Sequence, residues 1–365
     1  MKHPALSFLV VMLILASASG LVQAQVATSS LLSGGQAVTD NPAAMQWSRS
    51  SFASAVNGRG VFSNKDALGN EIEVGEFRQP GYNFRHLGES FGLAFGQSRG
   101  EGEMDMVNLP TESFSMTASE GVIGLSLKMK DFLAIGGSLR RTEAQWEADI
   151  PFYEVDGGGN ITDGRIFLTS NETSELQTGG ASFRLAEVFF IGAAIGSEKG
   201  VFEKGHTFKG TVNGTPQEEG WQGDYEDIRK INLIGIGFSA LDKDGDGIRL
   251  EISRIEGDPF ENRETGEEED EFSRAMVSGE VVWANILLGF VRENSTSKNL
   301  EIDNGLQIIK QTDLAKSVMT MGWSPLEGFT LAGAVQTSEF KELIDGKKDK
   351  TKIEAVTYMM IGWNY

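Results

Sequence analysis

Long stretches of alternating side chains are the feature that most constrains how this chain folds. In the last stretch, the odd positions from 353 to 363 are Ile, Ala, Thr, Met, Ile and Trp, whereas the even positions between them are mixed and partly charged. Side chains alternate across a β-strand, so this pattern predicts a strand of about 13 residues with one apolar face. An average globular strand has about 5–6 residues, but a tilted membrane-spanning strand needs about 9–11.

The same alternation recurs in five further stretches: 122–129, 177–185, 248–253, 274–283 and 329–336. Between them, short connections alternate with long polar stretches. The short connections are 87–90, 130–131, 186–187, 242–247, 284–285 and 324–328; the long ones are 100–112, 147–174, 197–228, 256–271, 293–311 and 342–350. Six short turns, a first strand near residues 50–62 and the last strand predict an all-β fold. It is a 14-stranded antiparallel transmembrane β-barrel with short periplasmic turns and long external loops.

The first 24 residues have the pattern of a secretory signal peptide. Lys2 precedes an apolar run at 6–16, and Val22-Gln23-Ala24 offers a small-x-small cleavage site. We therefore expect residues 1–24 to be removed and residues 25–49 to form a short periplasmic or luminal segment with a helical part. Residues 50–365 then form the barrel in the outer membrane.

Composition excludes several classes of function. A formal net charge of −20 argues against nucleic acid, whose phosphates require a basic surface. The chain has no cysteine and three histidines, none of which has the spacing of a catalytic triad or metal site. We therefore expect a protein that is not an enzyme and has no resident cofactor.

Three tryptophans recur at intervals of 40 residues near the turns: Trp283, Trp323 and Trp363. On the predicted register all three face outward, where aromatic rings at the headgroup level form a girdle around a membrane protein. The terminal Tyr365 is predicted to belong to the same girdle. Together with Trp363 it resembles the C-terminal signal that the bacterial barrel-assembly machinery reads, which makes that machinery an expected partner.

Two acidic stretches are candidates for cation binding. Asp242, Asp244 and Asp246 have the spacing of the first half of a calcium loop, but Ser253 stands where the closing bidentate Glu is required. A hairpin turn rich in Asp and Gly is therefore the favoured interpretation, with Ca²⁺ as the alternative. The acidic run 257–272 is either a solvated loop or a site where divalent cations bridge to outer-membrane lipid and lipopolysaccharide.

The stretch SGGQAVTDNPAAMQW, residues 33–47, contains a helix start. Asp40 or Asn41 can cap a short helix with Pro42 in its first turn, followed by Ala43. This Asn-Pro-Ala segment before a 14-stranded barrel resembles the N-terminal segment of the FadL-like outer-membrane transporters of long-chain fatty acids and other hydrophobic compounds. The resemblance implies passive uptake of a hydrophobic small molecule. Only about 25 residues lie between Gln25 and the first strand, so the plug of those transporters is expected to be reduced or missing.

The apolar members of the inward face are candidates for lining the lumen: Met276, Val282, Val356, Tyr358 and Met360. They make the predicted lumen less polar than that of a general porin, which is disfavoured. The main alternative is a structural or partner-binding barrel, a secretion or assembly component that works through its acidic loops and conducts nothing. A soluble β-protein is the remaining alternative.

Overall fold

A computed structural model of the chain describes ten stretches of residues: 41–47, 51–66, 68–106, 113–155, 161–185, 188–241, 246–262, 267–303, 306–326 and 329–364. The predicted signal peptide lies outside these stretches, so it stays a prediction. No helix within them has the length and hydropathy needed to cross a membrane.

Almost all of the described chain is antiparallel β-strand. We number the strands in chain order: β1 Phe52–Asp66, β2 Glu71–Leu87, β3 Phe91–Met106, β4 Ser113–Lys130, β5 Leu133–Val155, β6 Ile161–Leu185, β7 Phe189–Val212, β8 Thr215–Leu241, β9 Gly247–Gly257, β10 Phe260–Asn262, β11 Glu267–Trp283, β12 Ile286–Asp303, β13 Leu306–Leu326, β14 Phe329–Ile344 and β15 Lys347–Asn364.

The strands close into a barrel because the last one pairs with the first. β15 pairs with β1 from Phe52 opposite Asn364 to Asp66 opposite Lys350. On the far side of the ring, β9 pairs with both β8 and β11. The three-residue β10 adds to the start of β11 and is not part of the ring. The remaining 14 strands form a closed antiparallel barrel, so the predicted fold class and strand count are confirmed.

Side chains alternate between the two faces of the wall as the sequence pattern predicts. On β4, Ile123, Leu125 and Leu127 are about half exposed on the outside, whereas the preceding residue Val122 is buried inside. The strand ends that flank the short predicted turns all lie at one end, which we call the lower end; it carries Phe52 and Asn364, and we call the opposite end the upper end. Because Ile123, Leu125 and Leu127 lie towards this lower end of β4, the outward face is apolar there.

The prediction of long external loops is wrong for four of the six polar stretches. Residues 293–311 and 342–350 are largely strand. Residues 147–174 and 197–228 are also largely strand, in hairpins that continue β5–β6 and β7–β8 far towards the upper end. Their outward side chains are largely polar, such as Glu147 and Glu203, whereas the inward side chains are mixed, with Ala148, Leu168 and Phe202 buried among polar neighbours. The outward apolar face is therefore lost there while the strand continues. Alternation of polarity detects a strand only where its two sides meet different surroundings.

Two of the upper turns are dictated by residues that adopt positive φ. Asn213 and Gly214 have φ of 52° and 76°, and Asp345 and Gly346 have φ of 47° and 77°. These Asn-Gly and Asp-Gly pairs favour two-residue hairpins, because their backbone twist matches that of the flanking strands. The chain therefore reverses tightly at these points.

Candidate functional site: the barrel interior

Residues 41–47 lie inside the lower end of the barrel, against β4, β5 and β6. We call them the N-terminal segment. Pro42–Trp47 is a 3₁₀ helix, and Asn41 caps it: the backbone N–H of Ala43 donates to Asn41 Oδ1 at 3.2 Å. Asn41 Nδ2 in turn donates to the carbonyl oxygen of Ala181 on β6, at 3.3 Å. One side chain thus starts the helix and fixes it to the wall.

The end of the helix is held by two further side chains. Gln46 Nε2 donates to the carbonyl oxygen of Ser126 at 3.2 Å and to its hydroxyl at 2.8 Å. Trp47 Nε1 donates to the Ser182 hydroxyl at 2.9 Å, and its ring packs against Phe190 with the centroids 6.1 Å apart. The N-terminal segment therefore contacts the wall through hydrogen bonds at both of its ends.

Glycines in the wall make room for this segment. A Cβ added at Gly136 on β5 would lie 2.7 Å from the nitrogen of Ala43 and from the carbonyl carbon of Pro42. A Cβ at Gly180 would clash with the Asn41 side chain, and one at Gly92 would lie 3.0 Å from Gln46 Nε2. The close approach of two backbones explains why glycine stands at Gly136.

Above the segment, seven apolar side chains from six strands meet inside the barrel. We call this group the central apolar cluster; it comprises Phe77, Met276, Val291, Val318, Ala334, Val356 and Tyr358. Three of the five predicted lumen residues belong to it, and the other two, Val282 and Met360, are half-buried on the same inward face. Their role in transport stays a prediction.

Two glycines of β1 shape this cluster. A Cβ at Gly58 would lie 2.7 Å from the Tyr358 ring, and a Cβ at Gly60 would lie 2.5 Å from the Phe77 ring. Both rings therefore rest on bare backbone, which lets two large aromatic groups pack flat against the wall.

Buried ion pairs line the inner face of the wall beside the apolar side chains. Glu198 on β7 accepts from Arg229 Nε at 2.8 Å and from Arg140 Nη2 at 3.5 Å, and all three are almost fully buried. Elsewhere Arg249 pairs with Glu280 at 3.2 Å. Further buried pairs are Lys316–Glu293 and Lys352–Glu354. Pairing offsets the desolvation cost of each charge, which would otherwise be several kcal/mol by order of magnitude.

Short strand β10 brings Phe260 into the interior near the upper end. The Arg229 guanidinium lies 4.2 Å from the centre of the Phe260 ring and 5.0 Å from that of Phe272. Phe260 is 3% exposed and packs edge-on against Phe202, with the centroids 5.2 Å apart. The Phe260 ring of β10 therefore covers the charges from the inside of the barrel.

The remaining predicted site residues lie on the outside of the wall or at its lower turns. Trp283, Trp323 and Trp363 are 72%, 54% and 50% exposed and face outward near the lower end, whereas Tyr365 lies outside the described residues. Their place in a membrane girdle stays a prediction. Asp40 is likewise outside the described part.

The calcium hypothesis rests largely on residues outside the described stretches, Asp242 and Asp244. The carboxylate of Asp246 accepts from the backbone N–H of Ala284 in the neighbouring turn, at 3.0 and 3.1 Å. Within the described stretches, no three acidic or histidine side chains are grouped as ligands for one metal ion. The Asp246 contact is that of a turn residue, and calcium binding stays a prediction.

Sequence reasoning missed several interior residues. The inward facing of Phe77 and Glu198 could have been predicted, because each alternates with outward side chains on a long strand. Phe260 was not, since its position depends on how β10 folds back over β8 and β11. The Gly136 contact was equally hidden, because it joins segments about 90 residues apart.

The closed 14-stranded barrel, with its N-terminal segment docked in the interior, has a FadL-like fold. The predicted resemblance of fold is confirmed by solved structures. A Pseudomonas aeruginosa FadL homologue matches with a TM-score of 0.65 at 10% identity, over 92% of this chain and 95% of that one. The Pseudomonas putida toluene transporter TodX matches with a TM-score of 0.63 at 10% identity, over the same shares.

The CymD monoaromatic hydrocarbon channel also matches, with a TM-score of 0.58 at 11% identity, over 91% of this chain and 93% of that one. No protein-family model matches the chain, and no curated protein matches it. At such identities the likeness is one of fold, and function has to be argued from the interior.

Proposed function

We propose that this chain is an outer-membrane barrel through which small, neutral, hydrophobic molecules diffuse passively. The observation that carries the proposal is the central apolar cluster. A general porin has a polar, water-filled interior, whereas here seven buried apolar side chains meet in the middle of the barrel. An apolar solute gains from contact with such side chains, because its own surface leaves water there.

The outward face supports a membrane location. On β3 the outward side chains run from Phe91 through Phe95 to Gln97 before the first charge, Arg99. Eight residues at about 3.3 Å each, tilted by about 40°, span roughly 20 Å along the barrel axis. This is close to the apolar band of about 25 Å around known outer-membrane barrels. Export by a signal peptide and insertion by the barrel-assembly machinery are parts of the same proposal.

The charges inside the barrel favour a neutral solute over a fatty-acid anion. Five buried basic side chains are already held by buried carboxylates: Arg140, Arg229, Arg249, Lys316 and Lys352. A solute carboxylate would have to displace one of those partners and leave it buried without its cation, which is costly. The solved structures named as monoaromatic hydrocarbon channels and toluene transporters agree with this choice of solute.

The N-terminal segment limits the lower mouth in this proposal. It is attached by side-chain hydrogen bonds rather than by strand pairing, so it can shift without breaking the wall. No step of the proposed activity makes or breaks a covalent bond in the solute, so the protein acts as a channel and not as an enzyme.

Uptake of a matched pair of solutes tests the proposal. Toluene and benzoate share a ring and differ in charge, and both can be supplied radiolabelled to cells that lack their own hydrophobic channels and express this protein. We expect faster uptake of toluene and no gain for benzoate. Ala334→Phe, which enlarges a buried side chain of the central apolar cluster, should reduce toluene uptake several-fold.

The matched control is Val335→Phe, which places the same phenyl ring one residue later on the outward face, where Val335 is 52% exposed. It should leave uptake unchanged. Equal uptake with both variants and without the protein would refute conduction and favour the partner-binding barrel.

A further inference from the structure

The outward charges of the barrel are ordered by height. Along each barrel strand from the lower end, the first charged outward side chain is basic on eight strands: Arg59, Arg78, Arg99, Arg141, Lys199, Lys230, Arg254 and Arg292. We call these the basic row. On four other strands the first charged outward side chain is acidic: Glu175, Glu271, Asp313 and Glu339. In a chain with 52 acidic and 32 basic residues, a random order would favour the opposite.

The next outward charge above the basic row is glutamate on six of those strands. These glutamates, which we call the acidic row, are Glu76, Glu101, Glu143, Glu203, Glu226 and Glu256. Several ion pairs join the rows, such as Arg99–Glu101 at 3.0 Å and Arg141–Glu143 at 2.8 Å. The members of these pairs remain half or more exposed, so surface pairing leaves the basic groups accessible.

A groove in the outer wall lies at the same height. It has a volume of about 450 Å³ and extends across β9 and β11–β14. Small side chains such as Ala275 and Ala315 line it, with Arg254 at one edge, Lys341 at the other, and the carboxylates of Asp313 and Glu339. The groove therefore adjoins one member of the basic row, Arg254, and carries charges of both signs.

We propose that the basic row binds the phosphate groups of membrane lipids in the leaflet at the upper end. The row begins where the apolar band stops, which is where lipid phosphates lie in a bilayer. Arginine and lysine both bind phosphate, arginine with two parallel hydrogen bonds. The lower boundary is aromatic instead, so the two leaflets are recognised differently. This inference rests on the proposed membrane location and not on solute conduction.

Lipid binding to the detergent-solubilised barrel, followed by native mass spectrometry, tests the proposal. The probe is dilauroyl phosphatidic acid, and dilauroyl glycerol serves as the same lipid without phosphate. The wild type should bind the phosphate lipid in preference. Replacing four members of the basic row (Arg59→Gln, Arg99→Gln, Arg141→Gln and Arg254→Gln) should weaken that binding about tenfold or more.

The matched control removes four charges from the acidic row: Glu76→Gln, Glu101→Gln, Glu143→Gln and Glu256→Gln. It should bind the phosphate lipid at least as tightly as the wild type. Equal binding of the two lipids by the wild type, or equal loss in both quadruple variants, would overturn the proposal. So would displacement of the lipid by low-millimolar inorganic phosphate, which would point to an ion site instead.

Folding of each variant is checked by the heat-dependent gel shift of a barrel. If the basic-row variant does not fold, the pair Arg99→Gln and Arg99→Lys replaces it. The lysine variant should keep the preference for phosphatidic acid and the glutamine variant should lose part of it. Because uptake is not measured, a failed toluene assay leaves this test unaffected.

Discussion

Substitution of Gly136 tests how the N-terminal segment is held. In Gly136→Ala the new methyl group would lie 2.7 Å from the nitrogen of Ala43 and 2.8 Å from the carbonyl oxygen of Leu125 on the neighbouring strand. Both are backbone atoms, so neither can turn away as a side chain could. The segment, which is not paired into the sheet, is the part that has to move.

The magnitude follows from the cost of overpacking, about 1–3 kcal/mol for an added methyl group in a well-packed site. At about 1.4 kcal/mol per factor of ten, the docking equilibrium of the segment shifts about 5- to 140-fold towards the undocked state. The backbone N–H of Ala43, bonded to Asn41 Oδ1, and that of Ala44, bonded to the Asn41 carbonyl oxygen, then exchange faster with solvent by the same factor.

The assay is hydrogen exchange of the peptide that contains residues 41–47, in detergent or nanodiscs. Gly137→Ala is the control, because its Cβ would meet only the carbonyl oxygen of Thr178, at an ordinary 3.5 Å. We expect faster exchange in Gly136→Ala alone, with the gel shift of the barrel unchanged. Equal protection of the segment in the two variants would refute the reasoning that Gly136 holds the docking site open.

Three further predictions concern charges and the upper end. Arg249→Met leaves Glu280 buried without its partner and should destabilise the barrel by about 3–5 kcal/mol, seen as a lower gel-shift temperature; an unchanged temperature would contradict a buried pair. Phe260→Ala removes the ring that covers the interior charges and should expose residues 258–262 to protease, while unchanged cleavage would show that β10 is held elsewhere. The hydrogen bonds from Asn70 lower the pKa of Asp66 below its ordinary 3.8. The ionised Asp66 therefore stabilises the turn to Asn70 above pH 3.8, and this stabilisation is lost as the pH falls through the lowered pKa. An NMR titration of the Asn70 amide with its midpoint at or above 3.8 would contradict this.

The lower half of the barrel was predictable because its two faces meet different surroundings. Ile123 and Val122 differ in what they contact, and that difference repeats on strand after strand, so alternation fixes both register and facing. In the upper hairpins the outward side chains are polar and the inward ones mixed, so the alternation is too weak there to distinguish a strand from a loop. The Asn213-Gly214 turn was the signal that could have corrected this reading.

Details of the interior were less predictable, because they depend on contacts between residues far apart in the chain. Asn41 and Pro42 were recognisable as a helix start, but nothing local indicates that Ala181 accepts a hydrogen bond from Asn41. The inward residues Val356 and Tyr358 follow from alternation, whereas the packing of the Tyr358 ring on Gly58 requires the closure of β15 onto β1. Alternation predicts which face of the wall a side chain lies on, but it does not predict which residue that side chain contacts.

Where the interior contacts lie around the ring constrains the route of a solute under the proposed function. The N-terminal segment contacts β3 to β6 at the lower end, and Phe260 covers Arg229 and Phe202 beside β7 and β8 near the upper end. The central apolar cluster draws most of its side chains from β11 to β15, on the other side of the barrel. A solute that follows the apolar side chains therefore moves beside the ion pair of Arg229 and does not pass through it. Its path would then depend on movement of short side chains such as Ala334 and on displacement of one hydrogen-bonded segment, while every strand pairing of the wall stays intact.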